Sequence, residues 1–154
     1  MGYIEDLRAL IGHQPIILNG SCGIITNHIG KVLLQQRCEP QERWGLVGGL
    51  MEMGESTKQT LIREAKEETG LDLRNQSLHL FDIYSGGTLS VAANGDEFYS
   101  VTTVYVVPNI VGAPHITDQE SLGFDWFDPT NLPDNMVPRY RHILSDWQNQ
   151  GRNF

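Results

Sequence analysis

Glu64, Glu67 and Glu68 stand at i, i+3 and i+4 in a stretch that reads as a helix, so their carboxylates leave it on one face. At 100° per residue they span an arc of about 100°, while Leu61, Ile62 and Ala65 point largely elsewhere. Glu55 can approach the same region from the preceding loop. Like charges this close destabilise a helix unless something compensates them. One reading is a solvated acidic face neutralised by Lys58, Arg63 and Lys66. The other is a site for a hard divalent cation. Clustered carboxylate oxygens suit Mg²⁺ or Mn²⁺, and the scattered His13, His28, His79, His115 and His142 form no set with zinc spacing. Mg²⁺ keeps several waters and completes its shell with substrate phosphates, so this second reading implies phosphoryl chemistry.

The elements that must hold these carboxylates follow from local signals. Ser56-Thr57-Lys58-Gln59 is a capping-box pattern, which predicts a helix from Thr57 to about Thr69 with Gly70 in the left-handed position behind it. Leu46-Val47-Gly48-Gly49 ahead of it is a short apolar segment where paired glycines let the backbone bend or approach a ligand. Ile4, Leu7, Leu10 and Ile11, stopped by Gly12, predict a short N-terminal helix. Pro15 to Thr26 reads as a strand with an irregularity at Asn19-Gly20, and Lys31 to Arg37 as a second strand. Leu78 to Tyr84, Glu97 to Val107 and Phe124 to Phe127 read as further strands, with a Gly- and Asn-rich mobile connection from Ser85 to Asp96. Pro138 to Gln150 reads as a final helix with Tyr140, Ile143, Leu144 and Trp147 inward. Strands, one central helix, more strands and a last helix predict an α+β chain, an α/β/α sandwich on a central mixed sheet. No repeat or linker divides residues 1–154, so we expect one domain.

Composition narrows the partners. Lys+Arg 11 against Asp+Glu 19 gives a net charge of −8, which opposes a nucleic-acid polymer or an anionic membrane as partner. A small anionic ligand is still compatible, because a bound cation reverses the sign of one local site. Cys22 and Cys38 are too few for a disulfide framework and are expected as buried free thiols. No secretory signal or membrane span is evident, and the expected location is cytoplasmic.

Gly49, Glu55 and Arg63-Glu64-Ala65-Lys66-Glu67-Glu68-Thr69-Gly70-Leu71 together resemble the complete Nudix box over residues 49–71, with all seven fixed positions agreeing. A chance match at one window is roughly one in 10⁸. The resemblance implies a Nudix α/β/α sandwich, with the box helix on one face and the C-terminal helix on the other. It also implies that Glu64, Glu67 and Glu68 hold Mg²⁺ or Mn²⁺ with the Gly49 carbonyl as a further ligand, and that Arg63 orients Glu55 and its neighbours. A later acidic residue joins the metals or acts as base in this family; Glu120 occupies the corresponding stretch and Glu97 competes for the role. The implied activity is hydrolysis of a nucleoside diphosphate linked to another moiety, such as a nucleoside triphosphate or a nucleotide sugar like ADP-ribose, by water attack on phosphorus. A non-catalytic nucleotide sensor of the same fold is the alternative, and the resemblance also implies a homodimer. Either Glu64 or Glu120 would take the proton of the attacking water. Substrate contacts are expected from Arg37 and Arg43, which offer bidentate donors, and from Tyr84 as a stacking platform. Val47 stands where many members carry proline, a change with no catalytic consequence.

Overall fold

A computed structural model describes residues 2–150. Its elements run α1 (Tyr3–Ile11), β1 (Ile16–Ile25), β2 (Val32–Arg37), β3 (Trp44–Gly45), β4 (Val47–Leu50), α2 (Thr57–Thr69), β5 (His79–Tyr84), β6 (Ser90–Val91), β7 (Glu97–Val107), β8 (Ser121–Phe127) and α3 (Pro138–Asn149). The larger sheet has the spatial order β4-β1-β7-β5, with β6 also on β7. β1 and β7 are parallel and the other pairs antiparallel, so the sheet is mixed, as expected. A second, antiparallel sheet, β3-β2-β8, stands apart from it rather than extending it.

Side chains that alternate along β1 and β7 feed two separate cores. Cys22, Ile24, Val104 and Val106 meet Tyr140, Ile143, Leu144 and Trp147 of α3. Ile25, Val47, Tyr105 and Val107 meet Leu61 and Ala65 of α2. The two helices therefore cover opposite faces of the sheet, and the fold is the α+β sandwich expected. None of the described helices is long and apolar enough to cross a membrane.

Three local expectations are corrected. β1 pairs with β7 without a break from Ile16 to Ile25, so Asn19-Gly20 makes no irregularity. A Cβ at Gly20 would lie 2.7 Å from the Gly49 carbonyl oxygen, so this glycine permits close approach of strands rather than ending one. Ser85 to Asp96 is not wholly loop, because β6 forms within it and pairs with Glu97 and Phe98. Cys22 is buried but Cys38 is exposed.

Candidate active site

α2 begins as its sequence demands. The Ser56 hydroxyl accepts from Gln59 N at 3.1 Å, and the Gln59 side chain accepts from Ser56 N at 2.7 Å, which together satisfy two orphan donors. It ends at Gly70, in the left-handed region at φ 79, where a Cβ would also strike the His115 ring. Leu61 and Ala65 anchor the buried stripe, which turns Glu64 and Glu68 toward the edge strand β4. There Gly49 makes room. A Cβ on it would sit 2.3 Å from the Glu64 carboxyl carbon, so only glycine lets this carboxylate lie against the strand.

Glu64 and Glu68 open into a cavity of about 670 Å³. Its floor is the α3-facing side of β1 and β7, with Leu18, Ser100 and Thr102, and α1 closes one end through Ile4 and Arg8. Arg37, Glu120 and Arg139 also line it. Glu68, Asp118 and Glu120 each place a carboxylate oxygen within 4.8 Å of the others.

Burial raises two of these acids. Desolvation pushes Glu68 up to about 8, against the Gln35 amide and the Gly48 N–H that favour its anion. The same cause pushes Glu64 up to about 7, opposed by Arg63 and reinforced by Glu67 and Glu120. An all-oxygen donor set of carboxylates whose anions are disfavoured by burial fits Mg²⁺ or Mn²⁺.

The NUDIX domain family model matches residues 19–147, nearly the whole described chain. The chain belongs to the Nudix family of hydrolases. It is 33% identical over 119 residues to the Nudix hydrolase YvcI of Bacillus subtilis (strain 168), covering 74% of this chain and 69% of that one. It is 27% identical to the ADP-ribose pyrophosphatase of Methanocaldococcus jannaschii, covering 82% and 72% of the two chains. Among solved structures, the MutT NUDIX hydrolase of Burkholderia pseudomallei superposes with a TM-score of 0.70 at 27% identity, covering 86% and 97%. By class it is a Nudix pyrophosphohydrolase.

Within the Nudix box, Arg63 is the hub. Its guanidinium donates to Glu55 at 2.6 and 3.0 Å, to Glu64 at 2.9 Å, to Glu67 at 3.2 Å and to the Leu50 carbonyl at 2.9 Å. Those bonds hold Glu55 well below the usual carboxylate range and raise Arg63 itself. A lysine cannot reproduce this fork. Arg63→Lys should lower stability by about 2 kcal/mol, read as a shift of the thermal midpoint, because several charge-assisted bonds are lost at once. An unchanged midpoint would remove Arg63 from the positioning of the loop before α2.

The structure separates the expected site residues. Glu64, Glu68, Glu120, Gly49 and Arg37 share the cavity wall. Glu67 stands on the same helix face but at the exposed rim, paired to Arg63, and Glu55 is taken up by Arg63 beneath the loop. Arg43 does not itself line the cavity and donates to Glu39, which does, at 2.6 Å. Tyr84 does not itself line the cavity: its hydroxyl donates to Asp146 of α3 at 2.6 Å and its ring packs against the α3 core, beside the cavity-lining Thr102 with which it pairs. Glu97 is absent from the cavity wall, since Phe98, Ser100 and Thr102 are the β7 side chains that face it. Sequence reasoning missed Gln35, Asp118, Ser121 and Arg139. Arg139 forms no ion pair among the described residues and donates to the Tyr140 hydroxyl at 2.8 Å. Its position one residue into α3, behind Pro138, was the available signal.

Proposed function

We propose that this Nudix chain hydrolyses a nucleoside diphosphate linked to another moiety, either a nucleoside triphosphate or a nucleotide sugar such as ADP-ribose, with Mg²⁺ or Mn²⁺. The observation that carries the reading is the convergence of Glu64, Glu68 and Glu120 on one cavity beside Gly49. Glu64 and Glu68, joined by Asp118 and Glu120 and by Glu67 from the rim, would hold the cation, with the Gly49 carbonyl next to them. When bound, the cation neutralises the diphosphate and lowers the pKa of water. Glu64 or Glu120, both on the cavity wall, takes the proton of the attacking water. Arg63 holds the Glu64 carboxylate in place, and Arg37 is the guanidinium of β2 that meets a phosphate from the cavity side. The named activity of the Methanocaldococcus relative supports a nucleoside diphosphate derivative as substrate.

The test is a hydrolysis panel with Mg²⁺ and with Mn²⁺ over nucleoside triphosphates, 8-oxo-dGTP, ADP-ribose, UDP- and GDP-sugars and a diadenosine polyphosphate. Metal-dependent cleavage of one class is the expected result, and silence on every compound overturns the reading. With the substrate in hand, Glu120→Gln should slow turnover by about 100-fold, while Glu97→Gln stays near the parent rate. The reverse ranking would transfer the role to Glu97.

A further inference from the structure

The metal-site acids come from two places far apart in the chain, α2 and the segment 118–120, and one side chain links them, touching Glu68 directly and Asp118 through Ser121. Gln35 of β2, 6% exposed, donates from a single atom, Nε2, to Glu68 Oε2 at 2.7 Å and to Ser121 Oγ at 2.6 Å. The Ser121 hydroxyl donates onward to Asp118 Oδ1 at 3.1 Å. The donor direction therefore runs outward from Gln35 and ends on an acceptor-only carboxylate at each side. A bulge makes this possible. β2 and β8 pair as Gln36 with Gly123 and then Arg37 with Ser121, so Leu122 is passed over and Ser121 turns onto the face of Gln35 and Arg37. In regular register Ser121 would face the other way.

We propose that Gln35 and Ser121 form a positioning clip that sets Asp118 and Glu120 against Glu68, and so assembles the two halves of the cation site. The inference rests on the metal reading above. The 115–117 segment is tied separately to the end of α2, by His115 N on the Thr69 carbonyl at 2.9 Å and by the Thr117 hydroxyl on the Glu67 carbonyl. Loss of the clip therefore leaves the segment attached and changes only where its acids point.

The probe is Mn²⁺ alone, with free ion read by electron paramagnetic resonance on substrate-free, full-length protein. Gln35→Leu, close in shape but without donors, should weaken Mn²⁺ binding on the order of 10- to 100-fold. Gln35→Glu should weaken it further, because an acceptor then faces Glu68. Ser121→Ala should lose part of the affinity and Ser121→Thr, which keeps the hydroxyl, should regain it. Glu120→Gln should weaken binding in the parent yet add little in the Gln35→Leu background, a non-additivity that general destabilisation does not produce. Parent-like Mn²⁺ affinity in Gln35→Leu, or full additivity with Glu120→Gln, overturns the clip. Should Gln35→Leu fail to fold, equal affinities for Ser121→Ala and Ser121→Thr overturn it instead. A parent that binds no Mn²⁺ at all defeats the metal reading itself, a result distinct from any difference among variants.

Discussion

Glu68→Gln should lose Mn²⁺ binding and turnover together while the fold persists. Glu68 is 4% exposed, accepts from Gln35 and Gly48 N–H, and forms no ion pair among the described residues. Partners outside a metal's own ligand set are worth about 10–100-fold in affinity or activity, so removing a ligand should exceed the upper end of that range. The glutamine keeps the volume and has lost the charge that burial penalises. Metal-free Glu68→Gln should therefore melt no lower than the metal-free parent at pH 8. Turnover within a few-fold of the parent, with Mn²⁺ still bound, would remove Glu68 from the site.

The second large effect is on stability and pH. Glu64 and Glu68 titrate near 7 and 8 in the folded chain against an ordinary carboxylate value near 4.5. Between those limits the folded protein holds protons that the unfolded chain has released, so stability falls as pH rises. Glu39, Glu55, Asp72 and Asp96 are shifted down by their partners and act in the opposite sense, but only as the pH drops below that ordinary range. They leave the window from pH 5 to 8 to the two raised acids. After allowance for solvent at the cavity mouth, the loss across it is roughly 2–4 kcal/mol, or about 5–15 °C in the midpoint of a chelator-treated sample. Mn²⁺ at pH 8 should return most of it by binding the native state alone. A metal-free midpoint that is flat or rising from pH 5 to 8 would show that the two carboxylates are compensated by something else.

What could be read from the sequence was what is decided locally. The capping box, the carboxylate face of α2 and the Gly70 stop each lie within a few residues of their cause, and they appear where the pattern placed them. α3 likewise buries Tyr140, Ile143, Leu144 and Trp147, its one apolar stripe. Gln35, Ser121 and Asp118 were beyond reach, because their meeting depends on a single skipped residue in the pairing of strands separated by most of the chain. Tyr84 shows the same limit from the other side. Its side chain lies on the same sheet face as the cavity floor, and the partner that takes its hydroxyl, Asp146, comes from α3, which nothing near Tyr84 in the sequence specifies. Arg37 and Arg43 could not be told apart by type, since both touch Glu39 and only one also reaches the cavity.

The parallel seam between β1 and β7 joins the beginning of the fold to a strand made only after α2 is complete. On a ribosome the box helix emerges while the strand that completes the sheet beneath it is still unsynthesised. Until Val107 has emerged, Tyr105 and Val107 are missing from the layer under Leu61 and Ala65, and the closure that joins them is a slow, non-local event. Metal-site assembly should accordingly be among the last events of biogenesis, and nascent chains halted before β7 should be sensitive to proteases and indifferent to Mn²⁺.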